Sequence, residues 1–258
     1  MNIIKKFAAV LLACCFILCN VTSIEVEAKD YSKKKYNQIR WEKIKEDYLN
    51  TETDRLIFVK YKSGSKATLE MWEKVSKKIE ITSQDMAIDE SAEQPENKNY
   101  RYENEWRKIV SCKAYVGKKG INKKRQGDRK TPVGIYHITM AFGRKKSPGT
   151  AGIAYTKLNK YHYWSCEKST YNQFIDVRKL GRKQMSGEHL IDYKPWYNYA
   201  LAMDYNKKCV YLKGAGIFLH CVGGGRKYTA GCVAVSQNNM KKIVKNTTTH
   251  TNICIYKK

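Results

Sequence analysis

The sequence predicts a mostly β domain with a few short helices, spanning residues 51–258. Three observations carry this. Tyrosine is abundant, 19 residues against 6 Phe, and with the many Val, Ile and Thr it leans toward strands. Short apolar runs bounded by turn residues recur along the chain, whereas clean helical periods are rare. With 258 residues, 42% of them hydrophobic, the chain can bury a sizeable core, and only 4 prolines argue against a long proline-rich linker.

The N-terminus reads as a secretory signal over residues 1–28. Lys5 and Lys6 precede the apolar run Phe7 to Cys19, and Val26-Glu27-Ala28 offers a small-residue cleavage site before Lys29. The run is shorter than the ~20 residues a spanning helix needs, so no transmembrane anchor is expected. Leu11-Leu12-Ala13-Cys14 loosely matches a lipoprotein box, which would leave a lipidated Cys14. The apolar run continues past Cys14 and favours simple secretion to the cell wall or the extracellular space.

Residues 29–50 form a basic leader, in which Ile39, Trp41, Ile44, Tyr48 and Leu49 space out a short amphipathic helix. Leu56 to Tyr61 is a strand, Ser63-Gly64-Ser65 a turn, and Ala67 to Val75 a second strand, so a hairpin is predicted. Residues 79–96 hold six acids and no Lys or Arg, a shift that marks an insertion. A solvated loop and a mobile flap over a basic groove both fit it. Strand character returns at Trp106 to Val116, Ile135 to Ile138, Ala200 to Tyr205, Gly216 to Leu219 and Ile253 to Tyr256. Residues 159–200 are rich in Tyr and Trp without a helical period, and Ser236 caps a short helix bearing Met240, Ile243 and Val244.

The formal charge is +25, and removing residues 1–28 leaves it unchanged. Such a charge suits an anionic partner. Export argues against nucleic acid and for anionic wall polymers, with a merely solvated lysine-rich surface as the other reading. Of nine cysteines, six lie beyond residue 28: Cys112, Cys166, Cys209, Cys221, Cys232 and Cys254. Their spacing is not that of a zinc site, and sequence leaves any disulfide pairing open.

The chemistry concentrates between His220 and Cys232. A histidine is followed by Gly223-Gly224-Gly225, then Thr229-Ala230-Gly231-Cys232. This order supplies a base, a flexible loop and a thiol on a tight turn, which are the parts nucleophilic cysteine catalysis needs. The N–H groups of Gly231 and Cys232 are candidates to hold an oxyanion, with Thr229 and Ala230 shaping the turn. Arg226 and Lys227 are close enough in sequence to lower the thiol pKa. A buried structural cysteine, half a disulfide, or a metal site with Cys221 are the competing readings of the same residues. A fourth metal ligand is not evident, and strand alternation sends His220 and Cys221 to opposite faces, against Cys221 as the nucleophile.

A second segment, Gly117 to Gly134, combines two G-x-x-G-like turns with Thr131-Pro132-Val133-Gly134 and lacks the GKS or GKT of a phosphate loop. The two segments together resemble the L,D-transpeptidase family of bacterial cell-wall enzymes, of the YkuD type. There a GKNGxNKxxEGDGKTPxGxF-like stretch precedes a histidine, a spacer and an S/T-H-G-C step. Tyr163-Trp164, Tyr171-Asn172-Gln173 and Glu188-His189-Leu190-Ile191 resemble one subgroup. The likeness covers roughly residues 54–258. Ala230 replaces the histidine of the step, Ala234 the arginine often found two residues after the cysteine, and the spacer is short.

The resemblance implies a β-sandwich or barrel and an acyl transfer on peptidoglycan stem peptides. Cys232 is the implied nucleophile and His220 the implied base, oriented by the Cys221 carbonyl, with no cofactor and no metal. Gly224, Arg226, Tyr228, Trp164, Tyr171 and Asn172 are the expected substrate contacts. A cross-linking transpeptidase, an L,D-carboxypeptidase using water, and an inactive wall-binding protein are the functions to separate.

Overall fold

The computed structural model describes residues 41–80 and 100–257. The expected signal segment, Cys14, the first part of the leader and residues 81–96 of the acidic insertion lie outside the described residues.

Strand β1 (Arg55–Ser63) turns at Gly64 into β2 (Lys66–Glu80), and β2 pairs antiparallel with β3 (Tyr100–Tyr115) along its whole length. The expected hairpin is therefore present. Ile79 and Glu80, the first residues of the acidic segment, end β2. β4 (Gly134–Gly143) and the short β5 (Tyr155–Lys157) follow, then β9 (Ala200–Met203), β10 (Phe218–Cys221), β11 (Val233–Val235) and β12 (Thr251–Lys257). The order is β12-β1-β2-β3-β11-β10-β9-β4-β5, and β4 also pairs with β12. The sheet thus closes on itself as a barrel, which satisfies strand edges that would otherwise be open. This is the mostly β, barrel-like fold that the sequence predicts.

Closure explains why β1 and β12 read as continuous apolar runs rather than alternating ones. Ile57, Val59, Ile253 and Ile255 fill the barrel interior. Leu56, Phe58, Cys254 and Tyr256 face the other way and are buried as well. What covers them is helix α1 (Trp41–Leu49), whose stripe of Trp41, Ile44 and Tyr48 recurs at helical spacing. The Trp41 ring lies 5.0 Å from Phe58 and 5.4 Å from Tyr256, edge to face. The helix expected in the leader is thus packed against the barrel wall. Ile44 is fully buried there, worth about 1.5–3 kcal/mol.

Helix α2 (Gln237–Lys245) starts at Ser236, whose hydroxyl accepts from the Asn239 N–H, as the sequence predicts. It lays Met240, Ile243 and Val244 into the interior cluster. The aromatic-rich stretch, left without an assignment by periodicity, builds a separate three-stranded sheet. Its strands are β6 (His162–Ser165), β7 (Phe174–Asp176) and β8 (Gly187–His189), linked by single 3-10 turns. All six cysteines left open for pairing are free thiols. Among the described residues no helix is long and apolar enough to cross a membrane.

Candidate active site

Strand register brings His220 and Cys232 together. β10 and β11 run parallel, with Leu219 opposite Val233 and His220 opposite Ala234. Leu219, Cys221, Val233 and Val235 point into the barrel interior, so their neighbours point outward. Phe218 and Cys232 accordingly share the outer cluster with Trp164, Tyr197 and Leu190, and the His220 ring sits 5.6 Å from that of Tyr197. Cys232 thus lies one same-face step along the neighbouring strand from His220. Adjacent strands are about 4.8 Å apart, within side-chain reach. Cys221 points the opposite way, with its thiol on the Tyr199 carbonyl, and takes no part in the cluster.

The Cys232 backbone is pinned from two directions. Its carbonyl accepts from the Thr229 hydroxyl at 2.6 Å and from the Thr131 hydroxyl at 3.0 Å. Thr131 in turn accepts from the Gly117 N–H, and the Thr229 carbonyl accepts from Lys118 N–H. The second sequence segment therefore clamps the turn that carries Cys232. Gly117 has to be glycine because a Cβ would run into the Arg129 carbonyl and Lys130 Cα. Asp128 closes this loop, accepting from the Lys124, Arg125 and Lys130 N–H groups and from Lys123 Nζ at 2.9 Å. These donors hold its carboxyl down at about 2, against the cost of burial. Gly224 and Gly225, at φ of 58° and 68°, form the turn that carries the chain from His220 back to Cys232.

The Gly231 N–H donates to the Thr229 hydroxyl at 3.1 Å. In this structure it is therefore committed to the turn, rather than aimed with the Cys232 N–H at an oxyanion as the sequence reading expected. The electrostatics also differ from that reading. Burial, then the charge of Glu188, pushes the Cys232 thiol up to about 12, opposed by the Phe218 N–H and Lys123. Arg226 and Lys227, the expected cations, are exposed, and neither is among the groups acting on the thiol. The thiol donates to the Gly216 carbonyl at 3.3 Å and accepts from Phe218 N–H at 3.4 Å. His220 is pushed down to about 4 by burial, despite its bond to the Cys221 carbonyl. At neutral pH both groups are uncharged. A carbonyl can only accept, so His220 Nδ1, 2.8 Å from Cys221 O, carries the proton and Nε2 is left as the base. This is the orienting contact that the resemblance implies.

His220 and Cys232 line one cleft of about 370 Å³ together with Lys118, Arg129, Glu188 and Tyr193. Thr229, Ala230, Arg226 and Tyr228 reach the same cleft, as expected of the turn and of substrate contacts. Arg226 lies over the Trp196 ring and Lys118 over Tyr228. Gly224 and Gly231 shape the turn and are not part of the lining. Trp164, Tyr171 and Asn172 also lie outside the lining, because their polar atoms are spent internally. Trp164 Nε1 donates to Asn172 Oδ1, which also accepts from the Gly216 N–H. The Tyr171 hydroxyl donates to Gln126. Asn172, held by Trp164, thus supports Gly216, the residue whose carbonyl holds the Cys232 thiol, while Tyr171 supports Gly214 and Gln126.

Sequence reasoning missed Glu188 and Tyr197. Tyr197 donates its hydroxyl to Glu188 Oε2 at 2.6 Å, and burial pushes the Glu188 carboxyl up. Only the subgroup resemblance around Glu188 pointed there. Thr131, Lys123 and Asp128 sat in a segment read as loop, with no signal of which side chains turn inward.

The arrangement offers a thiol, a neutral imidazole on the same wall, and an open cleft, which is the equipment for acyl transfer. Comparison with curated proteins returns no match. The family model described as the L,D-transpeptidase catalytic domain, YkuD, matches residues 92–255. That span takes in both clamped segments, the cleft and most of the barrel, and the chain belongs to the L,D-transpeptidase catalytic-domain family.

Proposed function

We propose that this protein is an exported L,D-transpeptidase that cross-links peptidoglycan stem peptides through a thioester on Cys232. The observation that carries the reading is the pairing of Cys232 with a His220 whose Nδ1 is tied to the Cys221 carbonyl, both lining one cleft. Membership of the family supplies the substrate class.

With the thiol high and the imidazole low, a standing thiolate–imidazolium pair is disfavoured. The proton moves as the bond forms. The Cys232 sulfur attacks the amide carbonyl ahead of a terminal D-residue, and its proton passes to His220 Nε2. The C–N bond breaks, His220 returns the proton to the departing amine, and the acyl group stays on sulfur. A side-chain amine of a second stem then takes the acyl group. Water in place of the amine makes the enzyme an L,D-carboxypeptidase. The apolar N-terminal run supports export to the wall, where this substrate lies.

The test is mass analysis of products from a tetrapeptide donor, with and without an amine acceptor. Cross-linked product with wild type and none with Cys232→Ala is expected. Hydrolysed donor alone would make the protein a carboxypeptidase, and unchanged donor would remove the enzymatic reading.

A further inference from the structure

Four residues that bear a full charge at neutral pH when solvated line the cleft: Lys118, Arg129, Arg226 and Glu188. The three cations come from the two loop segments around the nucleophile turn. Glu188 alone comes from β8, on the small sheet. The cleft is therefore bipolar, basic on one wall and acidic at one point on the other.

Glu188 also differs from the described carboxyls that a neighbouring cation holds. Glu70, Asp128, Glu167 and Asp176 each bond a Lys or Arg, and each is held low. Glu188 forms no ion pair among the described residues, and its hydrogen bond is to the uncharged Tyr197. In a chain with 49 Lys and Arg against 24 acids, a half-buried cleft acid without a cation among the described residues stands out. Burying a carboxyl unpaired is costly, and a cationic ligand would relieve the cost. The acid and the Cys232 sulfur line the same cleft. A cation held by Glu188 is thus in the cleft that receives the acyl group carried on Cys232.

We propose that Glu188, held by Tyr197, is the subsite for the ammonium group of the acceptor stem peptide. This rests on the acyl-transfer reading above. An alkyl amine carries its extra proton at neutral pH, with a pKa of about 10.4, and cannot attack until it loses one. Glu188 binds the ammonium and takes that proton. The nitrogen lone pair then bonds to the thioester carbonyl carbon as the C–S bond breaks. A second N–H proton passes through His220 to the departing sulfur, and Glu188 returns its proton to water. Water as acceptor has no ammonium and makes no use of this group. Glu188 is thereby the residue that biases the enzyme from hydrolysis to cross-linking.

The experiment is the partition of one acyl-enzyme. Both products come from the same thioester, so their ratio is independent of how fast it forms. For Glu188→Gln the cross-linked to hydrolysed ratio is expected to fall at least ~10-fold, the scale of losing one charged partner. Interception by hydroxylamine, which is neutral at the assay pH, should hold within about twofold relative to water. Glu188→Asp, keeping the charge, should retain most of the ratio. Glu188→Met replaces Gln if Gln does not fold. An unchanged ratio in Gln or Met overturns the proposal, as does an equal loss for hydroxylamine or for Asp. A wild type that forms no acyl-enzyme with any stem peptide overturns the acyl-transfer reading itself, an outcome visible before any variant is made.

Discussion

Two outer faces of the same barrel each bury a cysteine, and they are built on opposite logic. On the β1–β12 face, Cys254 sits under α1 among Trp41, Ile44, Phe58 and Tyr256. Burial alone pushes its thiol up, and no imidazole is among the residues packed around it. On the β10–β11 face, Cys232 is almost as buried, and burial again raises the thiol. Here it also touches the Gly216 carbonyl, the Phe218 N–H and the fields of Glu188 and Lys123, and it opens on a cleft shared with a neutral imidazole. Burial alone leaves a cysteine inert; polar partners and access to a cleft are what the proposed nucleophile has and Cys254 lacks. The apolar face holds the barrel together, and the polar face is the one proposed to carry the chemistry.

The contrast is broken most severely at the nucleophile. Cys232→Ala should abolish turnover, a loss of about 10³-fold or more. The unfolding midpoint should change by little more than the ~1 kcal/mol of a small cavity. Activity surviving in the folded variant would end the assignment. His220→Gln should lower kcat/KM by about 10²–10⁴-fold, measured on the same donor peptide.

His220 also leaves a signature in stability. Its folded pKa of about 4 lies below the ordinary 6.5, so the unfolded chain binds the proton first. Stability contributed by this group is full above pH 6.5 and is lost as pH falls toward 4, by up to about 3 kcal/mol. Denaturant titrations at the two ends of that window should show the loss in wild type, and a shallower one in His220→Gln.

On the other face the effect is reversed. Ile44→Ala should cost about 2–4 kcal/mol, read by denaturation, while folded protein keeps its rate of acyl-enzyme formation. A matching loss of rate would mean that the two faces are coupled. Thr131→Val removes one of two hydroxyls on the Cys232 carbonyl. It also leaves the buried Gly117 N–H unpaired, so it should cost about 1–3 kcal/mol and slow acylation several-fold, with Thr229 still in place. The smallest effect is expected from Cys221→Ser, which faces the barrel interior. Activity should persist with about 1 kcal/mol lost from stability, and a dead, folded variant would show that the two faces of β10 are not separate.

Much of this was legible in the chain. Period-two alternation around His220 predicts that Cys221 diverges from it, and it does. The apolar runs of β1 and β12 and the capped α2 follow from local pattern alone. Strands of three residues, such as β5, β7, β8 and β11, are too short for any period to show and exist through their partners. Trp164 and Asn172 read as contacts because of their type, but a Trp buried among apolar neighbours finds its acceptor inside the fold. The thiol pKa was misjudged because sequence proximity of Arg226 says nothing about burial, and burial dominates. Glu188 carries no signal of its own in the sequence, since a lone acid in a polar stretch looks like surface until a sheet folds it into the cleft that Cys232 lines.

The most direct measurement is the intact mass of the protein after mixing with a carbapenem, whose strained carbonyl stands in for the donor amide, followed by mapping of the modified peptide. A single adduct on Cys232 in wild type, absent from folded Cys232→Ala, is the expected result. An unmodified wild type, or an adduct that persists in the variant, would contradict a nucleophilic Cys232.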